Sequence, residues 1–249
     1  MAARTIAPPS SQNEALPMIT TLAFSAFVAF SCGWIGMRAV REHRDALAER
    51  RGLLDDAAKL LRNARIAFGP DQFPVLVGEI SDGRRAKIEL IADTMVTRRL
   101  PQLWLRVTLS ETRECMRPTI GALARPTGAE YYSLVHDMPE WMSPPETDAS
   151  LLMRGDGRAT AWQIERGSAL FKSLFADPRV KEAVITARGT RIIRQAAQGE
   201  PGAHKVLRQV RFPLTSIPTE LVGLAIAEAE ALSALLVDDD IVAPVYEAA

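Results

Sequence analysis

LPMITTLAFSAFVAFSCGWIGM, residues 16–37, carries no charged side chain. As a helix it extends about 33 Å, against about 30 Å for the hydrocarbon core of a bilayer. A lone segment in lipid must satisfy its backbone hydrogen bonds internally, which a helix does. The stretch therefore predicts one transmembrane helix over residues 15–38 and sets the remaining chain apart as a domain held at a membrane.

The flanks give this helix a character and a direction. A cleaved signal peptide would have a basic start, a shorter apolar run and a small-residue cleavage site. Here the start, MAARTIAPPSSQNEA, has Arg4 as its one basic side chain, and the apolar run is longer. On the C-terminal side Arg38, Arg41, Arg44, Arg50 and Arg51 follow closely. The positive-inside rule then predicts a single-pass protein of the cell inner membrane, its N-terminus outside and its C-terminal domain in the cytoplasm. Trp34 lies near the inner end, where an indole anchors at the interface. Thr21, Ser25, Ala29 and Gly33 recur every fourth residue, a stripe of small side chains that lets two membrane helices approach closely.

Working outward, residues 1–14 read as a disordered tail. Residues 39–69 read as a juxtamembrane stalk helix: Val40, Leu47, Leu54 and Leu61 fall seven apart, with Leu53 and Leu60 beside the last two. Gly52 weakens its middle, and Gly69-Pro70 ends it. Residues 70–237 form the soluble α+β domain, long enough for one core or for two small subdomains, 70–140 and 150–237. Residues 238–249 read as a flexible tail.

Within the domain, Val75–Ile80 and Ala86–Met95 flank Ser81-Asp82-Gly83-Arg84, a good hairpin signal. In Leu103–Leu109, Leu103, Leu105, Val107 and Leu109 alternate with Trp104, Arg106 and Thr108, as in a half-buried strand. Thr119–Ala124 and Glu130–His136 read as two more strands, and the three prolines of DMPEWMSPPETD (137–148) as irregular chain. Arg154-Gly155-Asp156-Gly157 reads as a turn. A helix over Ala159–Phe175 precedes a second hairpin, Val180–Ala187 and Arg191–Ala196, and then a strand over Lys205–Phe212. Pro218 opens a last helix ending near Leu236; Glu220, Glu228 and Glu230 argue against a second span and for an amphipathic helix packed on the sheet. Short connections imply antiparallel pairing, hence a largely antiparallel sheet with two packed helices.

The chemistry is sparse. The chain has 30 Lys+Arg and 30 Asp+Glu, so nothing points to nucleic acid. Basic residues are nearly all arginine, and alanine is abundant, the usage of a G+C-rich bacterial genome. Cys32 in the span and Cys115 in the domain form no disulfide framework. His43, His136 and His204 lack metal-ligand spacing, and Asp238-Asp239-Asp240 lacks the pattern of a calcium loop, so no metal site is read. No phosphate-binding glycine motif and no nucleophile elbow occurs, so no cofactor is read either. Cys115 lies between Arg113 and Arg117, which would favour a thiolate if they faced it; a small inert side chain fits as well. Arg84-Arg85 and Arg98-Arg99 suit anionic headgroups or the guarding of strand edges.

The densest polar and aromatic patch is Tyr131-Tyr132 through Trp141. His136 with Asp137 or Glu140 has the residue types for acid/base work. Tyr132, Met138, Trp141 and Met142 have those of an interface centre, or of a plug for the domain's own core. The reading that follows is a membrane-anchored, non-enzymatic interaction or assembly module. Its partners are the bilayer, a second copy through the membrane helix, and a membrane-associated protein. The alternative is a membrane-tethered hydrolase or lipid-modifying enzyme with its site around His136, Asp137 and Glu140.

Overall fold

A computed structural model describes residues 12–94, 100–201, 210 and 212–235, with the side chains of residues 12–20 and 43 left out of the description. The chain divides into two units, Met1–Ala48 and Glu49–Ala249.

The first unit is dominated by helix α1, Gln12–Arg51. It is long and apolar enough to cross a membrane, and its most apolar 18-residue stretch is 0% buried, unlike the core helix of a soluble fold. The helix takes in Gln12, Asn13 and Glu14, which the sequence reading assigns to the tail; residues 1–11 lie outside the described residues.

The helical pattern predicted as far as residue 69 stops at Arg51. Gly52 opens a series of turns, a short 3-10 helix follows over Ala57–Leu60, and strand β1 occupies Arg62–Phe68. Burial explains the departure. Leu53, Leu54, Ala57 and Leu61 are all buried in the core of the second unit, and Leu53 accepts a hydrogen bond from the Ile217 backbone N–H at 2.8 Å. Of the predicted seam, Leu53, Leu54 and Leu61 pack into the sheet domain instead of lining a stalk, while Val40 and Leu60 are exposed.

The second unit is built on one antiparallel sheet. Its further strands are β2 (Pro74–Glu79), β3 (Arg85–Asp93), β4 (Gln102–Ser110), β5 (Ile120–Ala124), β6 (Glu140–Met142), β7 (Leu151–Gly155), β8 (Val180–Thr186) and β9 (Gly189–Gln198). Their order is β1-β2-β3-β4-β9-β8-β5-β7-β6. Both predicted hairpins form. In the first, Gly83 takes φ +91° and Asp82 accepts from the Arg84 N–H, local chemistry that favours the turn. In the second, Gly189 lies against strand β4, where a Cβ would fall 2.1 Å from the Leu109 carbonyl oxygen. Strand β4 alternates as predicted from Leu105 to Leu109, Leu105, Val107 and Leu109 being buried and Arg106 and Thr108 half-buried, but Trp104, read on the polar side, is also buried because chain covers that face too.

Helices α2 (Ala161–Leu174) and α3 (Thr219–Leu235) cover one face. Thr160 and Gln163 form a reciprocal capping box that starts α2. Val222, Ala225, Ala229 and Leu232 of α3 are buried where that helix packs on β4 and β9, and Glu228 pairs with the buried Arg194. The core on this side joins Ile88, Leu105, Val107, Ile120, Ile185 and Ile192 to Phe171 and the α3 residues.

Three predicted elements differ. Residues 130–136 form turns and the start of a 3-10 helix (Val135–Asp137), not a strand, because their apolar side chains pack down onto the sheet instead of pairing with it. Two short strands, β6 and β7, arise at and beside the proline-bearing stretch and take in Arg154 and Gly155, leaving the turn to Asp156 and Gly157, the latter at φ +80°. Pairing with β5 decides this, since β7 is extended by its neighbour. The strand predicted over Lys205–Phe212 lies outside the described residues except for Val210 and Phe212, as do Arg98-Arg99 and the tail 238–249.

Candidate functional site

The second face of the sheet is covered by chain, not by helices. After β5, Arg125 turns at φ 48° and Gly128 at φ 78°, and residues 127–138 run across the strands as a strap. Apolar side chains hold it at two places. Tyr132 packs with Ile91, Trp104 and Ile193, its ring 6.4 Å from that of Trp104. Val135 and Met138 pack with Leu123 and Val184.

Charged groups pin it between and beside these clusters. Glu130 is 4% exposed; its carboxylate accepts from Lys181 Nζ at 2.8 Å and from the Thr127 N–H and hydroxyl. Lys181, 4% exposed, also donates to the carbonyls of Ala124 and Arg125. Burial alone would raise the Glu130 carboxyl, but the Lys181 hydrogen bond and charge, then Thr127 and His136, bring it down to about 2. Glu182, fully buried, accepts from the Leu134 N–H at 3.0 Å and faces the Arg191 guanidinium at 3.6 Å. Here burial prevails over Ser133 and Arg191, and the carboxyl is raised. Arg191 donates to the Tyr132 carbonyl, and Arg154 to the His136 carbonyl at 2.6 Å.

The sequence-derived candidates divide accordingly. His136 Nε2 lies 3.2 Å from Glu130 Oε2. Among the described residues it has no hydrogen bond or ion pair with Asp137 or Glu140, both of which are exposed. The Glu140 carboxylate instead borders Gly157. Tyr132 and Met138 are buried within their own domain, and Met142 is half-buried against Gly155. Trp141, on β6, stays 69% exposed, with the Arg154 guanidinium 4.1 Å from its ring centroid, and Tyr131, within the strap, is equally exposed. Of the four residues of the membrane-helix stripe, all are exposed on α1, and a Cβ at Gly33 would meet nothing within 4 Å.

Other candidates take structural places. Arg84 pairs with Asp82 and donates to the Ser233 hydroxyl, so it holds the β2–β3 turn to the end of α3, while Arg85 is exposed. Arg117 donates to the carbonyls of Thr186 and Ser233 and to Glu111, away from Cys115, whose Sγ contacts the Arg113 carbonyl. A cleft of about 580 Å³ beside the start of α3 includes Arg179, which is paired with Asp177. No group of three or more His, Cys, Asp or Glu that could hold a metal ion occurs among the described residues.

Sequence reasoning missed Glu130, Lys181, Glu182, Arg154 and Arg191. One signal was available: Lys181-Glu182 is a charged pair inside VKEAVIT, where neither face of a buried strand should accept it. A register shift between Val180 and Glu182 accommodates both side chains. A scan against protein-family models finds no match to this chain, and searches of curated proteins and of solved structures find no similar protein.

Proposed function

We propose that this chain is a single-pass protein of the inner membrane whose sheet domain, on the cytoplasmic side, is a non-enzymatic interaction or assembly module. One observation carries the reading. The strap is held to the sheet through Glu130 with Lys181 and through the Leu134 N–H with Glu182, whereas Tyr131 within it and Trp141 on the following strand β6 are each 69% exposed. Large exposed aromatics on a rigid support are the kind of anchor found at interface centres. The membrane helix and its small-residue stripe support tethering and self-association.

A photo-crosslinking amino acid at position 141 of the full-length chain in membranes tests this. A discrete adduct from position 141, lost when the crosslinker is moved to the exposed Arg85 on β3, six strands away in the sheet order, is the expected result. Equal, diffuse labelling from both positions would remove the support for a partner surface.

A further inference from the structure

Among the described residues, no backbone–backbone hydrogen bond joins the strap at residues 127–138 to a strand of the sheet beneath it. Its own such bonds close within it: the N–H groups of Tyr131, Ser133, Asp137 and Met138 reach the carbonyls of Ala129, Glu130, Leu134 and Val135. The ties to the sheet run through side chains. Lys181 and Glu182, adjacent on β8, take Glu130 and the Leu134 N–H, while Arg191 of β9 and Arg154 of β7 hold the Tyr132 and His136 carbonyls. Underneath lies an apolar band with one side chain from each of β3, β4, β9, β8 and β5, which are successive neighbours in the sheet: Ile91, Trp104, Ile193, Val184 and Leu123. Ile91 stands opposite Trp104, and Ile193 and Leu123 stand on either side of Glu182. Gly121 makes room for the cover, since a Cβ there would fall 2.9 Å from Val135 and 3.0 Å from Met138.

We infer that residues 127–138 open from the sheet as one unit while its ladders and helix face stay folded, with Lys181 and Glu182 as the latch. Release of the strap breaks no ladder bond. The buried charges regain water as they part, so their ties contribute little net hold. Trp104 Nε1, Glu182 Oε1 and Arg191 Nε, buried with no hydrogen-bond partner among the described residues, are hydrated on opening. What resists opening is chiefly the burial of Tyr132, Val135 and Met138, a far smaller apolar area than the core under α2 and α3. Opening therefore costs less than global unfolding. The hinges are in place. Arg125 stays anchored to the carbonyls of Ser150, Pro178 and Val180, the chain turns at Gly128 with φ +78°, and at the far end Pro139 has no N–H to tie down. Closed, the strap presents Tyr131; open, it withdraws that ring and uncovers the apolar band. The domain thus has two alternative surfaces on this face.

Hydrogen exchange of the full chain in detergent micelles, read by mass spectrometry across sub-denaturing urea, tests this. Amides of the strap, the Leu134 N–H foremost, should exchange at least about tenfold faster than those of β9 and α3. Their rates should also depend less steeply on urea, because less surface is exposed. Phe171→Ala separates local from global opening. It weakens the helix face equally in the closed and open forms, so it should accelerate the β9 and α3 amides by about a hundredfold and leave the strap unchanged. Lys181→Met weakens the closed form alone and should accelerate the strap by about tenfold or more. Equal rates and urea slopes for strap and β9 in the unaltered chain overturn the inference, as does acceleration of the strap in step with β9 in Phe171→Ala. An unchanged strap rate in Lys181→Met overturns the latch.

Discussion

Helices α2 and α3 and the strap at residues 127–138 cover opposite faces of the same sheet, and they do so by different chemistry. On the helix face a continuous apolar core runs from Leu54 through Ile88, Val107 and Ile192 to Phe171 and Leu232. The strap face has two small clusters, around Tyr132 and around Val135, with Glu130, Lys181, Glu182 and Arg191 among them. Apolar burial is tolerant of direction and grows with area, so the helix face should dominate stability. Buried ion pairs contribute little net stability but penalise any mispairing, so the strap face should fix one position of the chain more than it stabilises the fold. Of the aromatic side chains left outside, Tyr131 lies on that pinned segment and Trp141 on strand β6 just after it.

The comparison can be broken hardest from the helix side. Phe171 is fully buried, with Phe175 at 6.2 Å, and Phe171→Ala should cost about 3–5 kcal/mol in denaturant unfolding of the full chain. On the strap side, Lys181→Met leaves the Glu130 carboxylate buried beside only Thr127 and His136. A loss of about 3 kcal/mol is expected, most of it recovered in K181M/E130Q because the stranded charge is gone. Recovery of less than half would mean that Lys181 acts chiefly through its bonds to the Ala124 and Arg125 carbonyls.

Acid titration sharpens the same contrast. Glu130 has a depressed folded-state carboxyl, so its stabilisation is complete above its ordinary value of 4.5 and fades as pH falls toward about 2. Glu130→Gln should therefore flatten the acid limb of the stability curve between those values. Glu182, raised by burial, has the opposite sign: its cost is present once pH exceeds its folded value and is relieved as pH falls toward the unfolded one. Glu182→Gln should remove that second dependence, read by thermal melts across pH. Smaller again, Thr160→Ala removes the capping box of α2 and should cost about 1 kcal/mol. Trp141→Ala should change stability by less than about 1 kcal/mol, the scale of an exposed cation–π contact, while abolishing any adduct formed at that surface.

The legible parts of the fold were those whose information is local. The SDGR turn between β2 and β3, the alternation of Leu103–Leu109, the capped α2 and the glutamate-bearing α3 each carry their own period or turn chemistry. Strand β1 did not, because its side chains are exposed on both faces apart from the half-buried Ile66, and a strand without a buried face has no period of two. Strands β6 and β7 are short and owe their extension to pairing with β5. At the strap, the sequence reading groups His136 with Asp137 and Glu140, its neighbours along the chain. His136 meets Glu130, six residues earlier, and Lys181, a further partner of that carboxylate, comes from β8.

By itself the sequence determined that one helix is long and apolar enough to cross a membrane, and that an antiparallel α+β domain follows it. Both rest on hydrophobic length and periodicity, which neighbouring residues set without reference to the rest of the chain. Only the tertiary structure decided where α1 ends, which aromatic side chains remain outside, and which charges are buried together. Those outcomes depend on pairs far apart in the chain, such as Leu53 with Ile217 and Glu130 with Lys181, whose association follows from strand order. Strand order is fixed by how the whole apolar surface closes, and no single stretch of residues records it.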